Sequence, residues 1–319
     1  MEIPWQRVSI APMMDITDRR FRYFIRLINP QVKLYTEMIV AHAIVRGDRQ
    51  KLLAFDHSEH PVVLQLGGDN PDVVSEAAAI GEAFGYDGID LNCGCPSDRV
   101  ESGNFGVCLM RTPQQVADIV AAMRRRIRIP VSVKCRIGIN GEESEAGLTS
   151  FAAAVFAAGA ASLTVHARTA VLGGLSPKQN REVPPLDYEM VYRLKRQFPD
   201  REMEINGGIR TREAIRSHLL NIDRVMIGRL AHEDPWFFSE NPAAGISARF
   251  AVMAKMAEYA STHESSDMTA ARFFANMLNI FHALPGARFA RRFLCEQGRS
   301  LSPAAAIAQL SENFTEVGA

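Results

Sequence analysis

The sequence predicts a (β/α)8 barrel followed by a small all-helical domain. Three observations lead there. Eight short β-branched runs recur over roughly 230 residues, the count and size of such a barrel. Helical stretches separate them. Most of the runs also lack polar alternation, which points to parallel strands buried on both faces. A doubly wound sheet binding a dinucleotide would need a GxGxxG turn after its first strand, and here that strand ends in APMMD.

The runs in order are VSIAP (8–12), KLYTEM (33–38), PVVLQL (61–66), GIDLNCG (88–94), PVSVKCR (130–136), SLTVHAR (162–168), EMEING (202–207) and RVMIGR (224–229). Between them, residues 72–84, 112–127 and 187–198 have helical patterning. The alanine-rich run 147–167 is broken by Gly159 and carries Ser and Thr. It reads as a packed helix running into a strand, not a membrane span. After about Asp234 the rhythm changes. DPWFFSENPAAGIS reads as a linker, and 250–262, 268–283, 287–297 and 303–314 read as helices. The expected division is a catalytic barrel over 1–240 and a helical domain over 241–319.

A chain of 319 residues, 47% hydrophobic and 23% charged, has the composition of an ordinary soluble globular protein. Lys+Arg and Asp+Glu both number 36, so a polyanionic partner must be held by local basic patches and not by a whole-molecule field. The opening MEIPWQRV lacks the charged-then-apolar pattern of a signal peptide. Five cysteines (Cys93, Cys95, Cys108, Cys135, Cys295) then imply free thiols in a reducing compartment.

In such a barrel the chemistry lies at the C-terminal ends of the strands. Those ends supply Pro12 and Met13, Glu37, Gln65, Asn92 to Cys95, Lys134 and Arg136, His166 and Arg168, Asn206 to Gly208, and Gly228 with Arg229. NGGIRT (206–211) and IGR (227–229) close strands seven and eight, where barrel enzymes often hold a phosphate. A plain tight turn at Gly207–Gly208 would not account for the second Gly-Arg pair. With no GxxxxGK[ST] in the chain, a phosphorylated cofactor or substrate fits better than a nucleoside triphosphate. Lys134 leaves three roles open. It could be the Schiff-base amine of a lyase, a cation beside an electron-rich ring such as a reduced flavin, or an ion-pair partner for Glu37. His166, one strand further on, gains a functional reading from that neighbour.

LNCGCPSDRVESGNFGVCLM (91–110) holds three of the five cysteines. Structural zinc wants four ligands in paired spacing, and the chain offers a single CxC. A CxC disulfide would be strained and would not persist in a reducing cell. Cys93 and Cys108 read as packing residues. Cys95 lies in the turn after Asn92, fixed by Pro96, and points at the mouth. An ordinary thiol, with a pKa of about 8.5, is protonated at neutral pH. Such a group serves as an acid as readily as a nucleophile.

Taken together, APMMDITDRRFR, YTEM, LQLGG, LNCGCPSDRV, FGVCLM, VKCRIGI, HAR, INGGI and IGR resemble the tRNA-dihydrouridine synthases. GLSPKQNREVPPLDY resembles their A subfamily. The match runs in order from Val8 to Arg229, and the Arg-rich GARFARRFL near the C-terminus extends it. Cys93 departs from the aliphatic residue expected there, and GCPS marks Cys95 as the thiol that matters. The resemblance implies an FMN-containing barrel that reduces the C5=C6 bond of uridines 20 and 20a in the tRNA D-loop, with NADPH as electron source. It implies Cys95 as general acid and Asn92 as a hydrogen-bond partner of a flipped-out uracil. Ala11, Pro12, Met13, Gln65, Lys134 and His166 would line the flavin, with Asn206, Gly207, Gly208, Gly228 and Arg229 at its phosphate end.

Contacts to tRNA are expected from Arg136 and Arg168 at the mouth and from Lys178, Asn180 and Arg181 in the loop after strand six. Arg288, Arg291 and Arg292 share one helical face by i, i+3, i+4 spacing and would add phosphate contacts. MRRRIRI (123–129) ends a helix facing away from the mouth and reads as solvated. A cytoplasmic monomer is expected, with no membrane, DNA or stable protein partner.

Overall fold

The computed structural model describes residues 2–97, 103–142 and 144–317, with side chains to residue 314. Residues 98–102 of the cysteine-rich stretch lie outside the described residues. Eight parallel strands form where the runs predict them: β1 (Val8–Ile10), β2 (Leu34–Val40), β3 (Val62–Gly67), β4 (Gly88–Cys93), β5 (Val131–Arg136), β6 (Ser162–His166), β7 (Glu202–Asn206) and β8 (Arg224–Ile227). From β2 to β8 each pairs with the next, and β8 pairs with β1. Lys33 joins the remaining edges: its N–H donates to Val8 O at 3.0 Å and its carbonyl accepts from Ile10 N at 2.9 Å. The result is a nearly closed TIM barrel.

Side chains alternate across each strand. One set (Ile89, Leu91 and Cys93 on β4; Val131, Val133 and Cys135 on β5; Leu163 and Val165 on β6) is fully buried and apolar. The other set fills the bore and is largely polar. Ser9 Oγ donates to Glu204 Oε1 at 2.7 Å and Thr164 Oγ1 to Glu204 Oε2 at 3.0 Å. Both faces are buried, as the missing alternation implies, but the inner face is buried and polar. Such groups are tolerated because they are paired with one another.

Helices α1 (Arg19–Ile28), α2 (Ala41–Arg46), α3 (Arg49–Leu53), α4 (Pro71–Phe84), α5 (Pro113–Arg126), α6 (Glu145–Ala157), α7 (Tyr188–Gln197) and α8 (Arg212–Leu219) follow the strands. Their starts are chemically marked. Asn70 Oδ1 accepts from the N–H groups of Asp72 and Val73, Asp187 Oδ1 from Met190, and Thr211 Oγ1 from Ala214.

The chain divides into two compact units, Met1–Thr17 with Gln31–Gly228, and Asp18–Pro30 with Arg229–Ala319. The division falls earlier than residue 240, and α1 goes with the second unit. The cause is local bonding. Arg19 and Arg20 both bind Glu264, at 3.0 and 2.8 Å, Tyr23 stacks on Tyr259, and Asn29 Nδ2 donates to Phe238 O.

The second unit continues with α9 (Leu230–Glu233), a 3-10 turn at Pro235–Phe238, α10 (Ile246–His263), α11 (Ala270–Phe273), α12 (Ala287–Glu296) and α13 (Pro303–Val317). Two readings need correction. The supposed linker packs Trp236 and Phe238 into the interior, with the Arg249 guanidinium 5.0 Å from the Trp236 ring centroid. Residues 268–283 do not form one helix but break after Phe273 and resume as a 3-10 turn at Leu278–Phe281. Phe273, Phe274, Met277, Ile280 and Phe281 are all buried, and their i, i+4, i+7, i+8 spacing, which reads as one helical stripe, persists across the break. Among the described residues no helix is long and apolar enough to cross a membrane.

Candidate active site

Cys95 sits two residues beyond the end of β4, half-buried. Its position is set by Asn92, whose Oδ1 accepts from the N–H groups of Gly94 at 3.1 Å and Cys95 at 2.9 Å. Asn closes a local turn of this kind with its own side chain. The Cys95 carbonyl accepts from Val107 N at 3.1 Å, and its Sγ lies 3.4 Å from Ser97 Oγ.

Behind Asn92 a polar chain runs down the bore. Asn92 Nδ2 donates to Gln65 Oε1 at 2.9 Å, Gln65 Nε2 donates to Asp90 Oδ2 at 2.8 Å, and Ser132 Oγ donates to Asp90 Oδ1 at 2.7 Å. Burial pushes the Asp90 carboxyl up to about 6, against those two hydrogen bonds. Gln65 is 1% exposed with both ends of its amide engaged, so its effect on the site passes through Asn92. Asn92 has a second amide hydrogen to offer a substrate carbonyl.

On the neighbouring strand ends, Lys134 Nζ donates to Asn206 Oδ1 at 3.3 Å, and Asn206 Nδ2 donates to Met226 O at 2.9 Å. Burial, then the nearby Arg136 charge, lowers the Lys134 pKa to about 8. Its hydrogen bond goes to Asn206, while the Glu37 carboxylate accepts from the Asp15 N–H.

Gly207 and Gly208 have φ of +121° and +68°, a region that side-chain-bearing residues rarely adopt. A Cβ on Gly207 would come within 2.7 Å of His166 Cδ2, and one on Gly208 within 2.5 Å of Leu186 Cδ1. Gly228 differs. A Cβ there would meet only Ala11 Cβ at 3.6 Å and Met13 Sδ at 3.7 Å, ordinary contacts. Among the described residues no atom demands glycine at 228, which leaves that backbone open to a close approach. These turns, with the N-terminus of α8 capped by Thr211, fit a phosphate. Lys134 and His166 at adjoining strand ends fit the ring system of a flavin.

Several residues expected to meet RNA have other work. Arg136 is 3% exposed; its Nε donates to Gly94 O at 2.9 Å and its Nη1 to Thr169 O and Asn180 O, each at 3.0 Å. Burial lowers its pKa to about 10. Asn180 is fully buried, its Oδ1 accepting from Val171 N and its Nδ2 donating to Val171 O and Leu175 O. Arg168, also buried, donates to Pro184 O. These three shape the loop; Lys178 and Arg181 are the ones it exposes. Arg288, Arg291 and Arg292 are exposed on α12, opposite buried Ala290 and Leu294, and Arg291 Nη2 bonds Asn279 Oδ1. Arg229 opens the second unit as the residue before α9.

All five cysteines are free. Burial pushes the Cys93 and Cys135 thiols up, which suits packing. Asp90, Ser132, Glu204 and Tyr188 are absent from the sequence-derived set. The signal for the first three was the two-residue strand period, counted back from Asn92, Lys134 and Asn206.

A parallel eight-stranded barrel carrying a thiol, an amine and a glycine cradle at its C-terminal strand ends defines a TIM-barrel enzyme. Its fold is shared with a 2-naphthoyl-CoA reductase solved with 2-naphthoyl-CoA, at a TM-score of 0.55 and 11% identity over 73% of this chain and 49% of that one. The family model described as dihydrouridine synthase matches residues 9–314, and the chain belongs to that family. It is 47% identical over 294 residues to a tRNA-dihydrouridine(20/20a) synthase of Xanthomonas campestris pv. campestris, covering 91% of this chain and 88% of the relative. A Synechocystis protein of the same description is 48% identical over 295 residues, with the same two coverages.

Proposed function

We propose that this chain reduces the C5=C6 bond of uridines 20 and 20a in the tRNA D-loop to 5,6-dihydrouridine, using FMN and NADPH. The observation that carries the reading is the half-buried Cys95 thiol, held by Asn92 at the C-terminal end of β4, on strand ends adjoining Lys134 and the glycine cradle. Reduced FMN, when bound, would supply a hydride to C6, with NADPH as the electron source. Cys95 holds the proton for C5 and releases it as charge develops there. Asn92 orients the flipped base through its free amide hydrogen. Lys134 and His166 would line the flavin, and Gly207, Gly208 and Gly228 would approach its phosphate. Lys178 and Arg181 hold the tRNA backbone beside the mouth, with Arg288, Arg291 and Arg292 as further phosphate contacts. The reaction is cytoplasmic and the enzyme acts as a monomer.

Cys95→Ala should stay yellow and bind tRNA yet leave uridine unreduced. Mass spectrometry of tRNA incubated with the protein, FMN and NADPH reads this as a gain of two hydrogens at a mapped uridine with wild type only. Loss of flavin from the variant would give Cys95 a different role. Equal turnover of free uridine would remove RNA from the reading. The lowered Lys134 pKa would also serve a Schiff-base amine; in that case borohydride with a keto substrate would trap a covalent adduct on a colourless protein.

A further inference from the structure

We infer that Tyr188 is a positioning residue: it turns the Gly207–Gly208 peptide so that its N–H faces the phosphate site, and thereby makes the chain prefer a phosphorylated flavin to riboflavin. The inference rests on the reading of the β7 and β8 turns as the FMN phosphate site.

The Tyr188 hydroxyl donates to Gly207 O at 2.7 Å. In a trans peptide the carbonyl and the following N–H point in opposite directions. With the Gly207 carbonyl drawn toward α7, the Gly208 N–H points away from that helix. Gly208 is exposed, so this N–H is presented at the surface of the turn. Two glycines in succession place little steric restriction on the peptide between them, which could rotate and present its oxygen instead. An oxygen there would repel an anion, and an N–H attracts one. The hydroxyl chooses between the two.

Tyr188 itself is held firmly. Its ring stands edge-on to His218 of α8, centroids 4.5 Å apart at 74°, and His218 Nδ1 lies 2.6 Å from the Tyr192 hydroxyl. Tyr188 is the first residue of α7, and the Asp187 cap fixes where that helix starts. Burial raises the Tyr188 pKa, so the hydroxyl keeps its proton and remains a donor.

Without the hydroxyl, the peptide samples both orientations, and a phosphate must first select the competent one. Riboflavin lacks the phosphate and does not sense that peptide. The test uses full-length wild type and Tyr188→Phe, each freed of bound flavin and titrated with FMN and with riboflavin by flavin fluorescence. Wild type should bind FMN about tenfold or more tighter than riboflavin. In the variant, FMN affinity should fall by about tenfold while riboflavin affinity stays within about twofold, as it would if the competent orientation dropped to about a tenth of the population. Parallel losses for both ligands would make Tyr188 a packing residue and overturn the inference, as would an unchanged FMN affinity. A wild type that does not distinguish the two flavins would remove the phosphate site, and the inference with it.

Discussion

At the residue scale, Asp90 shows what the bore is built to do. A carboxylate can only accept, so Gln65 must turn Nε2 toward it and Oε1 toward Asn92. Asn92 must then turn Oδ1 toward the N–H groups of Gly94 and Cys95. The polarity of two amides, and with it the seat of the thiol, follows from one charge. That charge is costly. Burial raises the Asp90 pKa from 3.8 to about 6, so the folded chain binds this proton more tightly than the unfolded one. Its stabilising contribution is complete below the unfolded value and is lost as pH rises through the folded one. Asn at this position does not titrate, and can face Oδ1 to Gln65 and Nδ2 to Ser132. Asp90→Asn should match wild type near pH 4 and exceed it by roughly 2–3 kcal/mol at pH 8, read by urea unfolding at each pH. The variant amide can also flip, so turnover should fall as stability rises. A stability difference that does not change with pH would show that Asp90 bears no such cost.

At the element scale, Arg136 joins two loops. Its guanidinium binds carbonyls of the turn after β4 and of the segment after β6, so the thiol and the exposed Lys178 and Arg181 share one anchor. Arg136→Met leaves three carbonyls without that donor. Amide exchange should speed up over 94–97 and 169–183 while β5 and α5 stay protected, with a stability loss of about 1–3 kcal/mol. Equal exchange in both proteins would show that the loops hold themselves. The same clamp shows where sequence reading reaches and where it stops. All eight strands were legible because apolar β-branched runs have few alternatives once burial on both faces is required. Cys95, Asn92 and the glycine turns were legible as unusual residues at strand ends. Arg136 and Asn180 were read as RNA contacts because a polar residue near the mouth carries no mark of whether its partners are solvent or loop carbonyls. Asp90 and Glu204 stayed hidden inside strands read as apolar, although each stands two residues from a residue singled out. The break within 268–283 had no punctuation of its own: Gly and Pro are absent there, and the five large buried side chains keep helical spacing across it.

At the scale of the whole molecule, equal numbers of acidic and basic residues mean that no net field draws a polyanion in. Affinity for tRNA must come from where the arginines stand. Exposed Arg288 and Arg292 lie one helical turn apart on α12, and neither is needed for the Arg291–Asn279 bond. Changing both to Glu alters the formal charge by 2 × (−2), from +0 to −4. If the two arginines meet phosphates, the slope of log affinity against log salt should fall by roughly two, and affinity at low salt should drop by at least about tenfold. Chemistry at saturating tRNA should be unaffected. The matched control places the same change in charge at Arg125 and Arg126, exposed at the end of α5. A general field would weaken binding equally in both variants, since each carries the same net charge. A local site weakens binding only in the α12 variant. Equal weakening would take α12 out of the RNA interface and leave Lys178 and Arg181 as the contacts that matter.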